Sequence, residues 1–401
     1  MLRLHLGLLA AKFDSSVLAF ESDREWPEVR RLVPSSSGVA RLRRRLLRTL
    51  GHGRIRPPSA RHDAFSDGRT VYGTELTRQF PAGSIAHLHW VTKFVDAARF
   101  LGKLHSPAVW TLHDMSPFTG GCHYSEGCNR FEGHCGLCPQ LDSRRIRDAA
   151  TYNQNRKAGI HRAVPPGNLF IVAPSTWMAN HARRSTVLRP YATEVIPYGV
   201  DLTVFQPSDQ KIARQQLGIP INSSVLLFCA DYPTPRKGFS QFLNLVEQLR
   251  TLPDLVILSV GNGAPSIELP VTHRRLGQIN DDHQMARAYA AADIFLIPSL
   301  EDNQPNTILE SMACGTPVVG FSTGGIPEAI DDAGISVPLH DIAALAAAVQ
   351  TLLSDRSRRQ QLGRAARTRA EKNYSISLQA ARYIELYKQL LITHSQESFR
   401  P

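Results

Sequence analysis

The segment Ile294–Glu328, IFLIPSLEDNQPNTILESMACGTPVVGFSTGGIPE, carries two carboxylates that are separated by seven residues, Asp302 and Glu310. An apolar, strand-like run opens the segment, an acidic, Asn-rich turn follows, and a helix is predicted to start near Asn306 and Thr307. The backbone N–H groups and the positive end of such a helix favour a bound anion, such as the phosphates of a nucleotide. The two carboxylates can then accept hydrogen bonds from sugar hydroxyls on either side. A single helix of this kind is alternatively only an acid-capped helix without a ligand.

A second group of reactive side chains lies in a predicted Cys-rich loop, 120–140. Four cysteines fall within 17 residues with the spacing C-x5-C-x6-C-x2-C, and two histidines lie between them. The cysteines are Cys122, Cys128, Cys135 and Cys138, and the histidines are His123 and His134. Four thiolates that include one C-x2-C pair are typical of a tetrahedral structural zinc site. Unligated thiols and two disulfides are the alternatives, and a reducing compartment disfavours the disulfides.

The elements that must position these residues form two series of strands that alternate with helices. The predicted strands are Ser16–Phe20, Ile85–Trp90, Ala108–Leu112, Leu169–Ala173, Glu194–Pro197, Val225–Cys229, Leu255–Val260, Ile294–Pro298, Val318–Phe321 and Ile335–Pro338. Two tandem βα series predict an α/β protein with two parallel-sheet domains. We expect an N-terminal domain at 1–198, a C-terminal domain at 199–375 and a last helical segment at 376–401 that packs back on the N-terminal domain. The joint lies near Ile196–Pro207, where prolines and a glycine interrupt the pattern.

The charge of the chain is concentrated near its N-terminus. The 401 residues contain 46 Lys and Arg against 35 Asp and Glu, a formal net charge of +11. The first 62 residues hold 13 basic and five acidic residues, so +8 of that charge lies there. Such an excess indicates an anionic partner: nucleic acid, an anionic membrane surface or a phosphate-bearing small molecule. The segment 34–62, with the cluster Arg41–Arg48, is predicted to be a mobile basic loop with two helical turns, or alternatively a solvated helix face.

Several motifs together resemble those of the family 4 retaining glycosyltransferases, which have the GT-B fold. The spacing of Asp302 and Glu310, followed by MACGTPVV and GGIPE, resembles the E-x7-E region of that family. IPYGVDLTVFQP, RKGF and SVGNG resemble further family motifs, and TLHDMSPFTGGCHY resembles the branch that builds bacterial surface polysaccharides such as colanic acid. The resemblance implies two Rossmann-like, doubly wound domains that face each other across a cleft. It also makes the ligand-free interpretation of the Asp302–Glu310 helix much weaker.

The resemblance implies a role for each matching residue in the C-terminal domain. Glu310 matches the acid that binds the nucleotide ribose, and Asp302 matches the acid that contacts the transferred sugar. Lys237 matches the lysine that grips the diphosphate and stabilises the leaving group. Arg236 would replace a family arginine whose position Tyr232 occupies here, or it is a solvated neighbour. The other donor-binding positions that the matched motifs contain are Asn306, Thr307 and Gly261.

The resemblance assigns one further residue to the N-terminal domain. His113 follows the predicted strand Ala108–Leu112 and matches the family histidine that touches the donor sugar, whereas Asp114 is expected to orient the loop or His113. The chain begins at Arg3–Phe20, which resembles the family's first helix and second strand, so the first strand and its glycine turn are expected to be absent. Losing that strand would expose sheet edges and remove contacts from the cleft.

The resulting prediction is a bacterial enzyme that moves a sugar, with retention, from a nucleotide diphosphate-sugar donor to a glycan or lipid-linked acceptor in surface polysaccharide biosynthesis. No catalytic metal is expected, since no DxD motif is present. We expect a cytoplasmic protein, peripheral on the inner face of the plasma membrane, whose basic arm faces anionic lipid or a lipid-diphosphate acceptor. The alternatives are an inactive glycosyltransferase-like scaffold, or a nucleic-acid-binding protein that uses the basic arm and the cysteine loop. Nucleic acid is the weaker of these, because the basic arm lacks interleaved aromatic residues.

Overall fold

The computed structural model of the chain describes residues 1–20, 25–52, 55–56, 64–72, 75–81, 84–104, 106–229, 235–261 and 268–398. The chain divides into two compact units. The N-terminal unit comprises Met1–Ile196 together with Ala380–Pro401, and the C-terminal unit comprises Pro197–Gln379. The sequence prediction placed the corresponding boundaries after residues 198 and 375. No helix among the described residues is both long and apolar enough to cross a membrane.

The described elements follow the predicted alternation of strands and helices. The strands are β1 Val17–Ala19, β2 Val29–Arg31, β3 Ile55–Arg56, β4 Phe65–Ser66, β5 Ala86–Leu88, β6 Ala108–Thr111, β7 Leu169–Ala173, β8 Thr193–Val195, β9 Ser224–Cys229, β10 Leu255–Val260, β11 Thr272–Gly277, β12 Ile294–Ile297, β13 Val318–Phe321 and β14 Gly334–Val337. The helices are α1 Leu2–Ala10, α2 Gly38–Thr49, α3 Glu75–Gln79, α4 Ala97–Leu101, α5 Ala149–Ala158, α6 Ile160–Ala163, α7 Thr176–Arg184, α8 Gln210–Leu217, α9 Phe239–Leu249, α10 Asp282–Ala291, α11 Asn306–Ala313, α12 Ile326–Ile330, α13 Ile342–Ser354, α14 Arg356–Asn373 and α15 Ile376–Ser398.

The N-terminal unit is built on a four-stranded parallel sheet with the order β5-β6-β7-β8. Strand β6 shows why this sheet is covered on both faces. Ala108 and Trp110 belong to one apolar cluster, and Val109 between them belongs to another. The second cluster contains Leu4 of α1 and Tyr383 of α15, so both terminal helices help to cover the sheet. Separate two-stranded sheets, parallel β1-β2 and antiparallel β3-β4, complete the described strands of this unit.

The C-terminal unit contains a six-stranded sheet with the order β11-β10-β9-β12-β13-β14, in which every pairing is parallel. Its first strand, β9, is apolar on both faces: Val225 and Leu227 pack in one cluster, and Leu226 and Phe228 pack in the other. A strand that is buried on both faces is expected in a doubly wound sheet. The strand order reverses between β9 and β12, and ligands of such sheets bind at the carboxyl ends of the strands on either side of this point.

The sequence predicted most strand bounds to within two residues but was wrong about some elements. Strand β11 was missed because its sequence, THRRLG, is polar; it lies at the edge of the sheet, where polar side chains reach water. Helix α4 begins only at Ala97, since the Asp96 side chain accepts a hydrogen bond from Arg99 N and caps the first turn. The predicted basic loop contains a 12-residue helix, α2, which Ser37 caps at its N-terminus.

Candidate functional site

The reversal of strand order in the C-terminal unit brings three of the predicted donor-binding residues together: Arg236, Lys237 and Asp302. A short 3-10 turn, Pro235–Lys237, lies between β9 and α9 in the chain. The loop after β12 carries Asp302. Because β9 and β12 are neighbours in the sheet, residues 65 positions apart in sequence meet at its carboxyl edge. Tyr232 and residues 262–267 of the SVGNG region lie outside the described residues.

Lys237 and Asp302 form the central ion pair of this site. Nζ of Lys237 lies 2.6 Å from Oδ2 of Asp302, and Arg236 Nη1 lies 3.4 Å from the same oxygen. Arg236 also donates to the Glu301 carbonyl at 2.8 Å, which places its guanidinium in the loop rather than in solvent. Burial opposes ionisation of Asp302, but Lys237 and Arg236 outweigh it and hold the pKa of this carboxyl below its usual value. The result is a buried anion that keeps two cations at the strand ends.

Two glycines let the backbone approach this pair closely. Gly238 has a φ of +74°, and an added Cβ would lie 1.8 Å from the Pro298 carbonyl oxygen. Gly324 has a φ of +60°, and its Cβ would lie 1.9 Å from the Asp302 carbonyl oxygen. The loop that carries Asp302 therefore packs against backbone whose conformation and close approach favour glycine.

We expect Gly238→Ala to lower the free energy of unfolding by about 2–4 kcal/mol, because it adds a left-handed backbone penalty to a clash with the Pro298 carbonyl. Urea denaturation of the purified chain measures this loss. Gly277→Ala is the matched control: Gly277 has a φ of +68° with nothing within 4 Å of its added Cβ, so only about 1 kcal/mol should be lost there. Equal losses for the two variants would contradict the close approach at Gly238.

Glu310 lies on α11, the helix that begins beside this loop. Its carboxylate is 7% exposed and accepts a hydrogen bond from the Tyr289 hydroxyl at 3.0 Å. The sequence predicted the helix that carries Glu310, but it did not identify Tyr289 on α10 as the partner of this acid. A tyrosine on a neighbouring predicted helix is the signal that could have identified this partner. Burial and the neighbouring Glu310 carboxylate both raise the pKa of the Tyr289 hydroxyl well above its ordinary value. Tyr289 therefore stays a neutral donor that orients Glu310.

The three remaining predicted donor residues occupy ends of elements. Asn306 is exposed and Thr307 is half-buried in the first turn of α11. Gly261 follows β10 with a φ of +131°, and its N–H donates to the Gly277 carbonyl at 2.9 Å. The first turn of α11 thus presents backbone N–H groups in the same unit as the ion pair.

In the N-terminal unit, His113 lies at the end of β6, as predicted, beside a second histidine. His113 Nε2 is 2.9 Å from Nδ1 of His89, which follows the neighbouring strand β5. Burial lowers the pKa of His113 to about 3, and it lowers the pKa of His89 as well. Both rings are therefore neutral near pH 7 and can donate or accept hydrogen bonds. His89 was missed, although it follows a strand in the same way as His113.

Asp114 was expected to orient the loop or His113, and it accepts a hydrogen bond at 2.8 Å from Ser116 N of that loop. Its other carboxylate oxygen belongs to a network with His123 and Trp90. Nδ1 of His123 donates to Asp114 Oδ2 at 2.6 Å, and Nε2 lies 2.5 Å from Ser66 Oγ. The indole N–H of Trp90 donates to the same carboxylate oxygen at 2.9 Å. Burial would raise the pKa of Asp114, but His123 and Ser116 hold it below its ordinary value. His123, one of the two histidines that lie between the loop cysteines, therefore orients Asp114.

We expect His123→Ala to lower the free energy of unfolding by about 3 kcal/mol, since it removes the closest partner of a buried carboxylate and leaves the Ser66 hydroxyl with one contact fewer. Urea denaturation at neutral pH gives the value, and His283→Ala, at an exposed position, serves as the control. A loss below about 1 kcal/mol would show that the network adds nothing beyond ordinary packing.

An open cavity lies next to this network in the N-terminal unit. Its lining includes Ser66, His89, Trp90, His113, Asp114 and Arg156. Trp90 is 54% exposed, so the face of a ring that Asp114 holds by hydrogen bond is open to a ligand. An exposed aromatic face among neutral histidines and hydroxyls matches the chemistry of a sugar, which stacks its C–H face and hydrogen-bonds its edges.

The predicted zinc set is not assembled. The four cysteines of the loop carry free thiols, with Cys135 and Cys138 buried and Cys122 and Cys128 half-buried. No three His, Cys, Asp or Glu side chains within the described part of the chain are arranged to hold a metal ion. Backbone interactions explain part of this arrangement of the cysteines. The N–H groups of Cys135 and Cys138 donate to the side chains of Gln154 and Asp148 in the α5 region. Cys122 forms an isolated antiparallel β-bridge with Phe65. Burial raises the pKa of the Cys122 thiol to about 12, which keeps it protonated.

Parts of the sequence are similar to known proteins. Residues 223–355 match the family model described as Glycosyl transferases group 1. A D-inositol 3-phosphate glycosyltransferase from Segniliparus rotundus is 31% identical over 226 residues, which cover 51% of this chain and 50% of the relative. The chain thus spans about half the length of the curated relatives that it matches.

Solved structures resemble this chain over a greater length. Sucrose-phosphate synthase from Thermosynechococcus elongatus has a TM-score of 0.68 at 19% identity and covers 98% of this chain and 92% of its own. Anabaena HepE in complex with UDP-glucose has a TM-score of 0.54 at 19% identity, covering 76% of this chain and 78% of its own. These likenesses show the predicted GT-B fold, with two Rossmann-like parallel sheets. The chain therefore has the GT-B fold, and residues 223–355 within its C-terminal unit match the model of the group 1 glycosyltransferases.

Proposed function

We propose that this chain transfers a sugar from a nucleotide diphosphate-sugar donor to a hydroxyl of a glycan or lipid-linked acceptor. The observation that carries the proposal is the Lys237–Asp302 pair at the point where the strand order reverses. A cation held there by a buried anion is suited to a diphosphate, and Glu310 lies in the same unit to receive ribose hydroxyls. The complex of Anabaena HepE with UDP-glucose supports a nucleotide-sugar donor.

The residues suggest how the transfer proceeds. Lys237 and the first turn of α11 neutralise the negative charge that develops on the departing nucleotide diphosphate. The bond from the anomeric carbon to the phosphate oxygen breaks, and the acceptor hydroxyl attacks that carbon from the face that the leaving group vacates, so the configuration of the sugar is retained. The hydroxyl proton passes to the departing phosphate oxygen on the same face. Asp302 is proposed to contact the transferred sugar. In the N-terminal unit, the neutral ring of His113 suits a sugar hydroxyl as its partner. The proposal needs no catalytic metal, because protein cations perform the charge stabilisation.

The acceptor is proposed to bind in the cavity beside Trp90. A surface polysaccharide intermediate is favoured by the resemblance of TLHDMSPFTGGCHY to the colanic acid branch, since His113 and Asp114 of this motif line the cavity. The printed name of the curated relatives makes inositol 3-phosphate a second acceptor to be tested.

A two-stage experiment tests the proposal. Thermal shifts with UDP, GDP and ADP and with their glucose derivatives should show stabilisation by one base, because a ligand that binds only the folded chain raises its melting temperature. Release of nucleotide diphosphate is then measured with and without lipid-linked glycan acceptors and with inositol 3-phosphate. No stabilisation by any of these nucleotides would contradict a donor site, and binding without hydrolysis or transfer would indicate an inactive scaffold.

A further inference from the structure

Helix α2, Gly38–Thr49, carries an apolar stripe that faces away from the protein. The exposed fractions are 81% for Val39, 70% for Leu42, 58% for Leu46 and 60% for Leu50, which follows the last helical residue. Their spacing of three, four and four residues places all four on one side of the helix. An apolar stripe of this length on the surface indicates an interaction.

The other side of α2 holds the helix on the N-terminal unit. Leu47 packs against the main apolar cluster of that unit. Arg44 is 9% exposed and donates to the Ser35 carbonyl at 2.6 Å, and Ser37 caps the first turn. The helix therefore has a buried side, and the stripe of Val39, Leu42, Leu46 and Leu50 is separate from it. Arg44, which the sequence counted with the anion-binding cluster, belongs to the buried side.

Two of the exposed arginines of α2 border the stripe. Arg41, Arg43, Arg45 and Arg48 are all exposed, and the helix contains no acidic residue. At 100° per residue, Arg43 lies on one side of the stripe and Arg45 lies on the other. A row of apolar side chains between guanidinium groups matches the layers of an anionic membrane surface, with acyl chains below and lipid phosphates above.

We propose that α2 lies in the plane of an anionic membrane surface, with the apolar stripe in the acyl boundary and the exposed arginines on lipid phosphates. A soluble polyanion would satisfy the arginines but leave the four apolar side chains in water. A second copy of the helix would cover the stripe but set two arginine-rich surfaces against each other, which is unfavourable. The membrane surface satisfies both features at once.

Sedimentation of the full chain with vesicles tests this inference. The chain should sediment with phosphatidylcholine vesicles that contain phosphatidylglycerol, and much less with phosphatidylcholine alone. Arg43→Ser with Arg45→Ser should lower the partition coefficient about 25-fold, taking about fivefold for each arginine near the surface. Leu42→Ser with Leu46→Ser should lower it at least about tenfold through lost apolar burial.

Two matched variants distinguish a contribution of α2 from a general effect of surface charge or of exposed apolar side chains. Arg356→Ser with Arg364→Ser removes the same charge from exposed positions of α14, and Ile146→Ser with Ile212→Ser removes exposed apolar side chains elsewhere. Both should bind vesicles like the unmodified chain. Circular dichroism melting of every variant identifies any loss of folding.

Several outcomes would overturn the inference. These are no binding to phosphatidylglycerol vesicles, an equal loss in the α14 variant, or binding that survives the leucine substitutions. Release by inorganic phosphate, but not by chloride of equal ionic strength, would indicate a site for free phosphate instead. A dimer in analytical ultracentrifugation that the leucine substitutions abolish would indicate a second copy. None of these measurements depends on sugar transfer, so the inference and the proposed function can fail separately.

Discussion

Lys237→Met is expected to lower the rate of sugar transfer about 10²–10³-fold, because it removes the cation that stabilises the departing nucleotide diphosphate. The ammonium lies 2.6 Å from Asp302, so its position is fixed before any ligand arrives. Methionine keeps the length of the side chain without its charge. Single-turnover release of nucleotide diphosphate from the donor measures the chemical step separately from binding.

Lys237→Arg provides the control for this experiment, since it keeps the positive charge and should retain a larger part of the activity. Wild-type rates in Lys237→Met would remove Lys237 from the reaction. If Lys237→Met and Lys237→Arg lost activity equally, the geometry of the lysine rather than its charge would be the cause.

The same substitution should change how stability depends on pH. The pKa of Asp302 is lowered in the folded chain, so its ion pair with Lys237 contributes stability above the unfolded pKa and loses it as the pH falls through the folded pKa. The difference in unfolding free energy between wild type and Lys237→Met should therefore be largest near neutral pH and shrink from about pH 4 downward. Urea denaturation across this range measures it, and a difference that grows on acidification would contradict the ionised pair.

Glu310→Ala is expected to weaken donor binding at least about 100-fold, because two hydrogen bonds to a carboxylate are each worth about 1.5–3 kcal/mol. Isothermal titration with the nucleotide that gives the largest thermal shift measures the dissociation constant. Glu310→Gln should lose less, about tenfold, since the amide still accepts neutral hydrogen bonds but lacks the charge.

Tyr289→Phe separates a direct role of Glu310 from its orientation. The substitution removes the hydroxyl that donates to Glu310 at 3.0 Å and leaves the carboxylate in place. Binding should then fall only a few-fold. Unchanged binding in Glu310→Ala would exclude Glu310 from the donor site, whereas an equal loss in Tyr289→Phe would show that orientation carries the whole effect.

The sequence by itself determined the class of the fold and most of its elements. Apolar runs such as Leu255–Val260 and Val318–Phe321 predicted their strands to the residue, because the pattern that buries a strand is local. The alternation with helices implied parallel sheets, and the resemblance to known motifs selected Glu310, Asp302 and Lys237. Weaker local signals failed in part: the polar edge strand β11 was missed, and a basic loop with two helical turns, or a solvated helix face, was predicted where α2 forms a 12-residue helix.

Tertiary structure alone decided which of these residues meet. Lys237 lies beside Asp302 only because β9 pairs with β12, and that register depends on contacts between distant segments. Packing of distant segments also placed His123 between Asp114 and Ser66, two partners that no local pattern indicated. Packing of Leu47 and Arg44 also determined which side of α2 is buried, and it left the apolar stripe exposed. Local periodicity specifies strands and helices, whereas the partners of a side chain are fixed when those elements pack.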